Sequence, residues 1–134
     1  MSEIETVPPD PRMVQLVYAL FLLSILFGPI LLAGLAIAYD QNKHVSATAE
    51  SHYRFQIRTA WICMLFGVVI VLPAFFVLGL AAMGMASPSM LVLGLCGFMV
   101  IDVLLWFVIR CARGLMFAAR NKPIPDPASW AFGG

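Results

Sequence analysis

Charge is what this sequence has least of. Asp, Glu, Lys and Arg make up 11% of its 134 residues, about half of what a water-soluble domain carries. The formal net charge is +1, so no general attraction to nucleic acid is implied. Cysteine is sparse as well. Cys63, Cys96 and Cys111 form no CxxC pair, and an odd, scattered set makes no disulfide framework, so they read as small apolar packing residues. The two histidines, His44 and His52, lie eight residues apart with no cysteine near them, which leaves a metal site short of ligands. There is no GxSxG, no HExxH, no glycine-rich phosphate loop and no pair of carboxylates within an apolar run. The reading therefore names no catalytic, cofactor-binding or metal-binding residue, and the chain is expected not to be an enzyme.

What is present is hydrophobic surface: 62% of the residues, with a mean hydropathy of +0.95. It is pooled into runs that reach the roughly 20 helical residues needed to cross a bilayer. The pattern predicts an all-α membrane protein with three transmembrane helices, at about 13–39, 59–83 and 89–110. Before the first span, residues 1–12 form a polar, proline-containing arm. Gly28-Pro29 falls in the middle of that span and Pro73 in the second, and each predicts a kink. A full break at Gly28-Pro29 would make the first run re-entrant and bring the N-terminus inside.

Between the first two spans, Asp40 to His44 reads as a turn and Ser46 as the N-cap of a short interfacial helix, about 47–58. On it Glu50, Arg54 and Arg58 recur every four residues, acid before base, as in a one-faced ion-pair ladder. Ser87 with Pro88 reads as the start signal of the third span. From Arg110 to about residue 120 the pattern becomes amphipathic, and residues 121–134 form an extended, proline-rich tail. Residues 13–120 thus make a single helical membrane domain.

Few polar residues stand out against this background. Asp102 is the one ionisable group deep in an apolar run; it is either a proton- or cation-sensing site or a polar clamp on His52, Arg54 or Arg58 of the connector. His52 is a candidate pH switch, or a structural hydrogen-bonder. Arg110, Arg113 and Arg120 share one side of a helical wheel and are candidates for anionic lipid headgroups, or else only set the topology. With three spans, seven of the eight Lys and Arg residues share one side, which predicts a cytoplasmic C-terminus and an N-terminus outside.

Three stretches carry a resemblance. Ser51-His52-Tyr53-Arg54-Phe55-Gln56-Ile57-Arg58-Thr59-Ala60-Trp61 is the first. Arg110-Cys111-x-Arg113-Gly114-Leu115 is the second, and Pro123-x-Pro125-x-Pro127-x-Ser129-Trp130-x-Phe132-Gly133 the third. Together they resemble the Tic-twenty-like family of small bacterial inner-membrane proteins of unknown function, named for likeness to a chloroplast inner-envelope import component. The resemblance implies a helical protein of the inner membrane and, by analogy with the import component, a part in translocation. The chloroplast member has four helices where this chain offers three. The function expected from the residues is that of a non-enzymatic accessory or assembly subunit. It would sit in the lipid bilayer and pack as a homo-oligomer or within a larger membrane-protein complex, with no nucleic acid and no cofactor. The alternatives are a channel or transport element around Asp102 and an anionic-lipid-binding module.

Overall fold

A computed structural model describes residues 11–43, 46–85 and 87–132. Most of the expected N-terminal arm, His44 of the expected turn and the last two glycines lie outside the described residues. Four helices account for the regular structure among the described residues: α1 (Pro11–Leu23), α2 (Ile30–Gln41), α3 (Ala47–Ala82) and α4 (Met90–Ala119). The chain divides into two compact units. One joins Met1–Ala60 with Val108–Gly134, and the other is Trp61–Phe107.

The first apolar run departs from the expectation of one kinked span. It folds as two helices of 13 and 12 residues that pack against each other. Each is too short to cross a bilayer at about 1.5 Å per residue. The break has a local cause. Pro29 has no N–H to give, and its ring would strike the Ile25 carbonyl in a continuous helix. Ser24 turns its hydroxyl back onto the Phe21 carbonyl, and tight three-residue bonds such as Leu26 N–H to Leu23 O end α1. Pro29 then caps α2 in helical conformation, where its missing donor costs nothing. The two helices close on Gly34: a Cβ there would lie 2.7 Å from the Phe21 ring, so only glycine admits that approach.

α3 and α4 pass the length and hydropathy test for crossing a membrane, and they are the only described helices that do. α3 runs for 36 residues straight through Pro73 and through the boundary expected near residue 58, so the interfacial helix and the second span are one element. Ser46 accepts the Ala49 N–H at its start, as expected. Gly84, at φ 70°, ends it in a left-handed cap with Met85 N–H bonded to Leu80 O. α4 begins two residues later than Ser87-Pro88 suggests. Ser89 is the cap that accepts the Val92 N–H, and its carbonyl takes the first ladder bond from Leu93. The helix then continues through Arg110 to Ala119, as the amphipathic pattern predicted.

Within the Trp61–Phe107 unit, Cys63, Phe66, Gly67, Ile70 and Val71 of α3 and Val100, Val103 and Leu104 of α4 line one cavity of about 150 Å³. Most of the unit's other described residues are exposed. Only 6% of the most apolar window of each long helix is buried, whereas a core helix of a soluble protein would be mostly enclosed.

Candidate functional site

The three polar stretches, bridged by a hydrogen bond between residues 73 positions apart, come together in the unit formed by Met1–Ala60 and Val108–Gly134. Their meeting point is Arg110, whose side chain is entirely buried. Its Nε donates to Thr59 Oγ1 at 2.7 Å, and Thr59 in turn donates to the Phe55 carbonyl at 2.6 Å. The two terminal nitrogens donate to backbone carbonyls of the tail: one to Ser129 at 2.8 Å, the other to Ala131. The guanidinium lies over the Phe55 ring, 3.9 Å from its centroid. A planar fork of donors thus joins α4, α3 and the tail in one arrangement, which an ammonium on a flexible stem would not reproduce.

The tail is shaped to present those carbonyls. Asn121 takes φ 51°, a left-handed conformation that asparagine tolerates, and Lys122 N–H bonds back to Phe117 O. That cap turns the chain away from α4 and along the start of α3. Prolines 123, 125 and 127 keep it extended, and their lack of N–H groups spares it unsatisfied donors. Ser51 Oγ accepts the Ile124 N–H at 3.1 Å, and Ile124 is buried. The Asp126 carboxylate accepts the Ala128 N–H and the Ser129 hydroxyl the Ala131 N–H, two local turns that aim the last carbonyls at Arg110. Arg58 lies over the Trp130 ring, 5.5 Å from its centroid.

His52 binds the first part of the tail. Its Nε2 lies 2.9 Å from the Lys122 carbonyl, which can only accept, so Nε2 carries the hydrogen. Nδ1 is then the acceptor for the Tyr18 hydroxyl, 3.2 Å away. Both nitrogens of a neutral imidazole are satisfied, and burial pushes the His52 pKa down. This is the structural hydrogen-bonding role. Tyr18 itself packs so closely on Gly114 of α4 that any Cβ there would overlap its ring. One turn on from His52, the fully buried Gln56 donates to the Val14 carbonyl at 3.0 Å. α1 is thereby held by both α3 and α4.

The other residues singled out from sequence fall in different places. Arg54 pairs with Glu50 at 3.2 Å, an exposed i,i+4 bridge of little energetic weight. Arg58, the third member of the expected ladder, is over Trp130 instead. Arg110 is not with Arg113 and Arg120: it is buried, while those two line a cavity of about 270 Å³ with Met116, Phe117 and Lys122. Asp102 is exposed on α4, and no described residue makes a hydrogen bond or ion pair with it. Among the described residues no three His, Cys, Asp or Glu side chains gather as a metal site would require. Tyr18, Gln56, Thr59 and Ser51 escaped the sequence reading. Gln56 and Thr59 had a visible signal, because with His52 they fall on one side of α3 opposite the ion-pair ladder.

No protein-family model, curated protein or solved structure matches the chain.

Replacing Arg110 with Met leaves Thr59 Oγ1 and two tail carbonyls without their donors. We expect a loss of about 3 kcal/mol or more, since each hydrogen bond to a charged group contributes about 1.5–3 kcal/mol. An SDS titration measures it, accompanied by faster hydrogen exchange across residues 123–132. Arg110→Lys should recover less than half, and a Met variant as stable and as protected as wild type would remove the latch.

His52 gives a pH dependence with a definite sign. Its folded pKa is depressed, so its contribution is present above the ordinary value of about 6.5 and is lost as pH falls below it. The same titration repeated from pH 8 to pH 5 should show stability falling in wild type and a flatter profile in His52→Gln.

Proposed function

We propose that this chain is a small, non-enzymatic integral protein of the bacterial inner membrane, a Tic-twenty-like accessory or assembly subunit of a membrane complex. The observation that carries this reading is the exposure of the long helices. Leu72, Phe75, Phe76, Leu91, Leu95 and Phe98 all stand uncovered on helices long enough to span. Surface of that kind is covered by lipid or by another membrane protein. The three motifs that carry the proposed family likeness form one interlocked set around Arg110 and His52. Nothing in the wholly apolar cavity of the Trp61–Phe107 unit favours a conducting path, and Asp102 does not line it.

The α1–α2 hairpin supports the re-entrant form of the first run, with the N-terminus inside. A hairpin returns Arg12 and Lys43 to one side, and two further spans bring the tail back to that side. All eight Lys and Arg residues are then cytoplasmic, a fuller bias than the seven that three spans allow. Both termini are accordingly cytoplasmic in this reading.

Purification of the tagged full chain from native membranes in mild detergent tests the subunit role. The expected result is a defined species larger than the monomer, with a second membrane protein or further copies in fixed ratio. A monomer with no companion would sink the reading.

A second reading has its own observation. Arg113, Arg120 and Lys122 surround a cavity with Met116 and Phe117 on its wall, cations over apolar side chains as at a phospholipid headgroup and its first methylenes. Each cation near an anionic surface contributes about 1 kcal/mol, so losing all three should reduce bound anionic lipid by more than about tenfold. Native mass spectrometry of the joint Arg113→Gln, Arg120→Gln and Lys122→Gln variant measures that. Phosphatidylglycerol retained at the wild-type level would dismiss the site.

A further inference from the structure

Along α4, the residues Leu91, Leu95, Phe98, Asp102 and Leu105 follow one another at intervals of four, three, four and three. That is the spacing of a coiled-coil seam, which keeps one stripe of a helix against a like helix. Every one of the five is exposed, Leu91 to 81% and Phe98 to 68%. The cavity shared with α3 is lined from the other side of α4, by Val100, Val103 and Leu104. The seam is therefore complete, uncovered and interrupted by a single polar residue.

Lipid can cover the leucines and the phenylalanine, but it offers a carboxyl neither a donor nor an acceptor. The basic residue of α4 nearest to Asp102 is Arg110, about 12 Å along the axis and occupied by Thr59 and the tail. In the topology proposed above, the Lys and Arg bias gives every copy the same orientation. The α4 helices of two copies therefore run parallel, and each residue meets its own counterpart at the same depth. A carboxyl can satisfy its counterpart in such a meeting, the O–H of one donating to an oxygen of the other.

We propose that a second copy of this chain docks in parallel along the Leu91–Leu95–Phe98–Asp102–Leu105 face of α4, with the two Asp102 carboxyls hydrogen-bonded to each other. The interface is isologous, with the two-fold axis running beside Asp102. The polar pair fixes the register of an otherwise uniform apolar seam, as one buried polar residue does in a coiled coil. This inference rests on the reading of the chain as a membrane subunit and names one of its partners.

Cysteine cross-linking in native membranes tests it on the full chain, in a background carrying Cys63→Ala, Cys96→Ala and Cys111→Ala. Leu95→Cys and Phe98→Cys should each give a covalent dimer on oxidation, with at least tenfold less from Val100→Cys and Val103→Cys. Added to Leu95→Cys, Asp102→Ala should lower the yield at least fivefold. Asp102→Asn, whose amide also pairs with itself, should keep it within twofold and serves as the control for folding. Equal yields on the two sides of α4, or a yield unmoved by Asp102→Ala, would overturn the proposal. So would a cross-link from the seam to a different protein, a result that leaves the subunit role standing. A seam dimer with no other companion in the purification would instead uphold the pair and confine the subunit role to self-assembly.

Discussion

The guanidinium of Arg110 is the constraint on which the rest of its unit depends. Burying a charged group is costly unless its donors are matched, and here Thr59, Ser129 and Ala131 meet them while Phe55 supplies a ring face. The dependence runs outward from there. Thr59 can receive Arg110 only because α3 is helical through residue 59, and the tail carbonyls arrive only because Asn121 turns the chain and the Asp126 and Ser129 turns orient its end. His52 and Ser51 fix the same tail nearer its start. A segment too rich in proline for helix is ordered by side chains from another element.

Much of this was legible in the sequence, and what was missed has identifiable causes. The long helices, the Ser46 cap and the continuation of α4 past Arg110 all follow from periodicity and capping chemistry, which are local. The Ser87 start signal failed by two residues because Ser89 offers the same capping oxygen, and its hydroxyl and carbonyl take the Val92 and Leu93 N–H groups. Arg110 was grouped with Arg113 and Arg120 because a helical wheel reports direction around an axis and nothing of what approaches from outside it. The carbonyls that claim Arg110 belong to residues 129 and 131, and carbonyls have no signature in a sequence. Tyr18 was invisible for a related reason: only the closeness of α1 to Gly114 reveals that its hydroxyl meets His52.

The first run shows how close two readings can be when they turn on one dipeptide. Residues 13–39 are apolar enough to span, and composition alone favours a single helix. Pro29 tilts the balance by removing a bond and blocking a carbonyl, and Gly34 makes the alternative worthwhile by letting Phe21 lie against the α2 backbone. A hairpin buries Val17, Phe21 and Ala38 within the chain instead of presenting them to lipid. In the topology proposed above it also keeps Arg12 from having to cross the membrane.

α4 carries two ionisable groups treated in opposite ways. Arg110 is enclosed and answered by its own chain, and the residues that answer it lie within one compact unit. Asp102, a little over two helical turns earlier, is exposed and unanswered by any described residue. Had both been needed only for folding, the economical arrangement would have set the carboxylate against one of the arginines near the start of α3, yet Arg54 has Glu50 and Arg58 has Trp130. An acid without a partner among the described residues, on a face whose spacing matches that of paired helices, is what the proposed pairing with a second copy rests on. The two groups thus differ along one helix: Arg110 closes the polar unit on itself, and Asp102 is the group that the proposed second copy would answer.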